Sequence, residues 1–390
     1  MKKEIDTSNL EFASRCVHGG VYIDEQYNSV VTPIYPSSTF YFEGPGQTSG
    51  YDYTRTRNPT RDALEENLAS LEGGAGCTAT STGMSAISSA LHLLPENAHI
   101  VAGNEIYGGT FRLFNSIMPN RAMQVTQVDM SVLNAIEAAI RPETAAIWIE
   151  TPSNPLLNLT DIEAVCNIAK KHKLLTIADN TFLTPLLQLP IELGTDIVVH
   201  STTKYPNGHS DVVGGAIISA TTEMAEQVAA MCNALGTTCS PIDAWLVLRG
   251  VKTLSVRMRA HEENGNALAK YLDQRPEIEQ VYYPGLTSHP DHQLACRQQK
   301  GFGGMLSFDI SGGEERAQAF IAQLSLYSFA ESLGGVESLI EHPASMSHAA
   351  MTPEGLEAAG IKPCTIRVSA GIEAISDLIA DMEQAFAAIA

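Results

Sequence analysis

Residues 174–219 read LLTIADNTFLTPLLQLPIELGTDIVVHSTTKYPNGHSDVVGGAIIS. Three short runs in this stretch, 174–178, 197–200 and 215–219, are apolar, rich in β-branched residues and bounded by turn formers, the pattern of strands buried on both faces. Similar runs at 99–102 and 145–149 alternate with helical stretches such as 161–172. Buried strands separated by helices predict an α/β fold with a mostly parallel central sheet covered by helices. In an open sheet of this kind ligands bind beyond the carboxyl ends of the strands. The first run ends in Asp179 and the second in Ser201, Thr203 and Lys204, so both ends carry groups that can meet a ligand. Pro206, Asn207 and Gly208 predict a fixed turn after the lysine. His200 and His209 flank the segment and are read as structural or polar-network residues, because no third metal-type ligand recurs at suitable spacing; no metal is expected.

Downstream the pattern changes. A long helix is expected over 246–259, then a strand-like MLSFDI (305–310), a helix over 314–324, a strand-like TIRVSAGI (365–372) and an amphipathic helix from Ser376. These predict a smaller C-terminal α+β domain. Upstream, residues 1–60 are rich in Tyr, Ser, Thr, Pro and Gly, and 31–60 read as loop, which suggests an extended N-terminal arm. Thr60 is expected to cap a helix that presents Leu64, Leu68 and Leu71 on one stripe and ends at Gly73. The expected division is therefore 1–60 arm, 61–255 ligand-binding α/β domain and 256–390 C-terminal domain.

The chain has 390 residues, with 24 Lys and Arg against 44 Asp and Glu and a net charge of −20. That balance disfavours nucleic acid and anionic membrane as partners, since both require a positive surface. Seven cysteines without CxxC spacing indicate neither a zinc site nor a disulfide framework. The N-terminal lysines are followed by no apolar run, and no segment approaches the length of a membrane span, so a soluble cytoplasmic protein is expected.

Four local motifs each admit two readings. In STGMSAISSALHLL (81–94), Gly83 and Met84 open a helix whose N-terminus suits a phosphate, or Thr82 merely caps a tight glycine turn. Asp179 either faces a ligand or caps its turn with Asn180. Lys204 is either a Schiff-base lysine or a surface lysine after a strand. In YDYTRTRNPTR (51–61), Tyr53, Arg55, Arg57 and Arg61 form either an anion clamp or a solvated basic turn. Together they fit one cofactor. Pyridoxal 5′-phosphate requires a lysine for its aldehyde, an acid for its ring nitrogen, hydroxyls, a helix N-terminus and an arginine for its phosphate, and an aromatic ring over its face, for which Tyr107 in NEIYGGTFRLF is available.

On these motifs, with ETPSNPLL (150–157), RQQKGFGGMLSF (297–308), AESLGGVESLI (330–340) and IRVSAGIE, the chain resembles the pyridoxal-phosphate-dependent family of cystathionine and methionine metabolism. The resemblance runs from about Val21 to the last helix and is strongest to the family's γ-synthases. It implies a fold-type I architecture in which Lys204 binds the cofactor covalently, Asp179 pairs with the ring nitrogen, Tyr107 stacks on the ring and Asn154 lies near the 3′-oxygen. Gly83, Met84, Ser201 and Thr203 would hold the phosphate, joined by Tyr53 and Arg55 of a neighbouring subunit in a homotetramer built as a dimer of dimers. Arg367 would hold the α-carboxylate of an amino-acid substrate, with Asp52, Arg57, Arg112, Glu331 and Ser332 also on the substrate side. The implied reaction joins an O-acyl-L-homoserine, preferably O-succinyl, to L-cysteine in methionine biosynthesis; γ-lyase and sulfhydrylase activities occur on the same scaffold. Thr56 stands where the synthase pattern carries a second arginine, so Arg57 or Arg112 is expected to supply that charge.

Overall fold

The computed structural model describes residues 7, 9–21, 24, 26–349 and 351–390; positions 1–6, 8, 22, 23 and 25 of the expected arm lie outside the described residues. Its strands are β1 (Gly76–Thr80), β2 (His99–Gly103), β3 (Gln124–Val128), β4 (Thr144–Glu150), β5 (Leu175–Asp179), β6 (Ile197–His200), β7 (Gly215–Ser219), β8 (Ile278–Tyr282), β9 (Met305–Ile310), β10 (Ser328–Phe329), β11 (Leu339–Glu341) and β12 (Thr365–Ser369). Two compact units share them, Met1–Pro95 with Leu189–Ser255, and Glu96–Gln188 with Val256–Ala390.

In the first unit β7 pairs antiparallel with β1 on one side and with β6 on the other. Both β6 and β7 are buried along their whole length, as their apolar runs require. The helix Pro59–Glu72 buries Leu64, Leu68 and Leu71 and ends at Gly73 in the left-handed region, φ 76°. Its cap is Asn58 rather than Thr60, because the Asn58 side chain accepts from the amides of both Thr60 and Arg61. The Thr60 hydroxyl is spent on the arm: it donates to the Pro33 carbonyl at 2.9 Å and accepts from the Tyr35 amide at 2.9 Å. The stretch 31–58 is irregular, with isolated bridges Thr39–Tyr53 and Gly44–Gln47, the last two residues of the expected loop belong to the helix, and a short helix, Phe12–His18, precedes it.

The helix expected over 246–259 is two helices, Pro241–Val251 and Leu254–Asp273. The amide and the hydroxyl of Thr253 both bond the Gly250 carbonyl, at 3.1 Å each, and this local competition interrupts the ladder. Gly250 itself is pressed against the turn that follows Lys204: a Cβ there would lie 2.2 Å from the Asn207 carbonyl oxygen. Gly250→Ala is expected to cost about 1–3 kcal/mol through overpacking, read as a lowered midpoint in denaturant.

In the second unit β5, β4, β2 and β3 lie side by side and the pairs β5–β4, β4–β2 and β2–β3 are parallel. A second sheet, ordered β10-β11-β12-β9-β8, is antiparallel except for its first pair. The helices Gly313–Gln323 and Ile375–Ala388 cover it, with Phe320 4.5 Å from Phe386 and 6.1 Å from Phe308 between ring centroids. The architecture is α/β with a second sheet domain. Among the described residues no helix is long and apolar enough to cross a membrane, and all seven cysteines are free thiols.

Candidate active site

In the first unit, β6 delivers the chain to Lys204. At its end His200 is buried and its Nε2 lies 2.6 Å from Oε2 of the equally buried Glu72, so the histidine anchors the strand. His209 likewise serves the turn, with Nδ1 2.7 Å from the Asn207 carbonyl. Backbone bonds from Lys204 to Ser201, from Asn207 to Thr202 and from Gly208 to Lys204 fix the loop around the lysine. The Thr203 hydroxyl donates to the Gly214 carbonyl at 3.2 Å and accepts from the Gly214 amide at 3.0 Å.

The helix Gly83–Leu91 opens with a capping box: Thr82 Oγ1 accepts from the Ser85 amide at 2.8 Å, and Ser85 Oγ accepts from the Thr82 amide at 2.9 Å. The Gly83 and Met84 amides have no intrahelical acceptor at that end. A Cβ on Gly83 would sit 2.9 Å from Ser201 Cβ and 3.0 Å from Ser201 Oγ, so glycine alone lets this N-terminus close on the hydroxyl beside Lys204. An open helix N-terminus, a hydroxyl and a nearby amine are the donor set for a phosphate-bearing aldehyde.

The arm's cations are engaged within the chain. Arg55 Nη1 donates to the Asn233 carbonyl at 2.8 Å and to its Oδ1 at 2.7 Å, with the guanidinium 5.7 Å from the Tyr53 ring centroid. Asp52 Oδ1 accepts from the Tyr53 amide at 2.6 Å. Arg57 pairs with Asp62 at 2.7 Å and lies 5.2 Å from the centroid of Tyr51, whose pKa is pushed up to about 12 by burial and then by Asp62. Arg61 is structural: it is 1% exposed, and its Nη1 donates to the carbonyls of Thr54 at 2.7 Å and Cys239 at 3.3 Å.

In the second unit Asp179 ends β5, and its Oδ1 accepts from the Thr181 amide at 3.0 Å, so the turn-capping role is present too. The register sets Glu150, the last residue of β4, beside Asp179. Sequence reading gave Glu150 no role; a polar residue closing an apolar run, as Asp179 does, is the signal that marks it. Burial, then the Asp179 charge, hold its pKa well above the carboxylate range, and its two oxygens accept from the Tyr107 amide at 2.9 and 3.1 Å. Tyr107 is raised by burial and by Glu331, Glu150 and Asp179, against the opposing charge of Arg112. The other four groups thus lie within electrostatic reach of Tyr107.

Asn154 is buried and its Oδ1 accepts from Arg367 Nη1 at 2.9 Å. Arg367 Nη2 donates to the Ser332 carbonyl at 2.8 Å and pairs with Glu341 at 2.9 Å. Ser332 turns its carbonyl inward from a left-handed backbone, φ 94°, unusual for a residue with a side chain. Glu105 holds the neighbouring loop by accepting from Ser153 at 2.7 Å and from Asn158 at 2.8 and 2.9 Å. The unit therefore offers an acid for a ring nitrogen, an aromatic ring and a buried arginine for a carboxylate.

The family model of the Cys/Met metabolism PLP-dependent enzymes matches residues 13–387. The chain is 46% identical over 372 residues to a cystathionine β-lyase of Lactococcus lactis, spanning 95% of this chain and 98% of that protein. It is 47% identical over 369 residues to a cystathionine γ-lyase of Bacillus subtilis, spanning 95% and 97%. The solved structure of a cystathionine γ-synthase from Xanthomonas oryzae pv. oryzae, in complex with aminoacrylate and cysteine, matches with a TM-score of 0.95 at 49% identity, covering 97% of this chain and 98% of that one. Three activities at nearly equal identity agree on the scaffold and the cofactor and differ in the reaction. The chain belongs to the pyridoxal-phosphate-dependent enzymes of cysteine and methionine metabolism.

Proposed function

We propose that the protein joins an O-acyl-L-homoserine, with O-succinyl preferred, to L-cysteine, giving L-cystathionine and the free acid. What supports this reading is that the charges of Glu331 and Arg112 both act on Tyr107, the first raising and the second lowering its pKa. A carboxylate suits the ammonium group of an incoming cysteine, and an arginine suits the distal carboxylate of a succinyl group. Arg112 would then supply the charge missing at Thr56.

When bound, the cofactor supplies an aldehyde that takes the substrate amino group and a ring that accepts electrons released at Cα. Lys204 Nζ, freed as the substrate enters, would remove the Cα proton, hand it to the bound cofactor and, neutral again, remove a Cβ proton. Asp179 holds a proton on the ring nitrogen, while Gly83, Met84, Ser201 and Thr203 hold the phosphate. Tyr53 and Arg55 join them from a neighbouring subunit of a tetramer. Arg367 fixes the substrate α-carboxylate with Asn154 behind it. Proton removal at Cβ expels the acyl group from Cγ as a carboxylate, the Cγ–O bond breaking with its electrons. The cysteine thiolate adds at Cγ, the proton held by Lys204 returns to Cβ, and the proton handed on earlier would return to Cα by way of Lys204. Tyr107 relays the proton of the incoming thiol or amine, Arg112 being the charge that eases its ionisation.

Initial rates decide between this and its alternatives. O-Succinyl-L-homoserine with cysteine is expected to react faster than cystathionine alone or O-succinyl-L-homoserine with sulfide, by at least about tenfold, the size of one pocket contact. Faster cleavage of cystathionine to cysteine and 2-oxobutyrate would make the protein a γ-lyase, the activity named for one relative of 47% identity. Faster sulfide incorporation would make it a sulfhydrylase.

A further inference from the structure

Arg367 sits on β12 directly opposite Glu341 on β11. The two side chains are 4% and 1% exposed, and the ion pair between them is 2.9 Å long. A buried guanidinium is costly unless paired, and Glu341 pairs it before any substrate arrives. Ser347 Oγ donates to the other oxygen of Glu341 at 2.6 Å and lies 2.9 Å from His348 Nδ1. His348 Nε2 in turn lies 3.1 Å from the carbonyl oxygen of Asn154, whose side chain accepts from Arg367. The contacts close a circuit from Arg367 through Glu341, Ser347, His348 and Asn154 back to Arg367. Burial and the Arg367 charge hold His348 down to about 4, so the imidazole adds no charge at neutral pH and Glu341 supplies the countercharge.

The circuit is braced from one more side. A Cβ on Gly108 would lie 2.3 Å from the Ser347 carbonyl oxygen, so the residue after Tyr107 packs directly on it. Asn154 Oδ1 and the Ser332 carbonyl accept from the two terminal nitrogens of Arg367, Glu341 Oε2 lies 2.9 Å from one of them as an ion pair rather than a hydrogen bond, and Nε is buried with no hydrogen-bond partner.

We propose that Glu341 is a positioning residue for substrate recognition, holding the Arg367 guanidinium in the orientation that leaves its remaining donors for an α-carboxylate. The inference rests on the reading of Arg367 given above. An arginine side chain carries substantial rotamer freedom, and fixing it beforehand removes that cost from substrate binding.

The test compares two ligands on the holoenzyme, L-norvaline and butylamine, which differ only by the α-carboxylate, with binding followed by visible absorbance. Glu341→Gln is expected to weaken norvaline about tenfold, the loss of one charge-assisted contact, and to leave butylamine unchanged. The KM for O-succinyl-L-homoserine should rise with it while kcat stays within about twofold. Glu341→Asp, which keeps the charge and shortens the reach, should fall between the two and serves if the Gln variant does not fold. Unchanged norvaline binding in both variants, or an equal loss for both ligands, overturns the proposal. Arg367→Ala separates it from its premise. If that variant still prefers norvaline, the reading of Arg367 is wrong; if it loses the preference while Glu341→Gln keeps it, Glu341 alone is wrong.

Discussion

Lys204→Ala is expected to reduce turnover by roughly 10³-fold or more, with cofactor still bound but no longer covalently. The loop around Lys204 is fixed by backbone bonds of Ser201, Thr202 and Gly208, none of which needs the ammonium group. The proposed phosphate contacts likewise come from Ser201, Thr203 and the open end of the helix Gly83–Leu91 rather than from the amine. Removing the amine therefore leaves a folded, cofactor-binding protein that lacks the group moving protons at Cα and Cβ. Borohydride should bleach the visible band of the wild type and place the label on Lys204, whereas the variant should retain no label after denaturation. Turnover comparable to wild type would remove Lys204 from its role.

Asp179→Ala carries the second large effect, a fall in kcat/KM of about 10²-fold or more, the magnitude of losing a preorganised charge at a reacting centre. Glu150 is the adjacent carboxyl, yet burial and Asp179 itself hold its pKa well above the carboxylate range, and its oxygens are committed to the Tyr107 amide. With Asp179 gone Glu150 loses the neighbour that raises its pKa, but it stays buried, and burial is the larger cause. Substitution by Glu150 is thus expected to be partial at best. Asp179→Asn keeps the shape and discards the charge, and should lose nearly as much. A variant with wild-type kcat/KM would show that the ring nitrogen is held elsewhere.

The parts of the molecule legible in its sequence are those written in contiguous residues. Apolar runs at 174–178, 197–200 and 215–219 became β5, β6 and β7, and the acid and lysine at their ends stand at strand ends. Thr82 and Gly83 mark a helix start because a cap is a four-residue pattern. β1 escaped reading because Gly76–Thr80 is a run of small residues, and β3 because three of its five residues are polar, at a strand paired only to β2. The break after Val251 depends on where two donors of Thr253 point, which periodicity does not register. Glu150 and Glu341 were missed for a different reason. Each gains meaning only from a partner brought alongside by sheet register, Asp179 for one and Arg367 for the other. The acidic balance of 24 against 44 hid a similar point, since Arg61 and Arg367 are both buried and engaged with groups of their own chain.

Product balance on one reaction tests the account most directly: O-succinyl-L-homoserine supplied with and without L-cysteine, with succinate, cystathionine and 2-oxobutyrate measured together. One cystathionine should form for each succinate released when cysteine is present, with 2-oxobutyrate appearing only slowly and only in its absence. Succinate released without matching cystathionine, or 2-oxobutyrate undiminished by cysteine, would contradict the proposed replacement at Cγ.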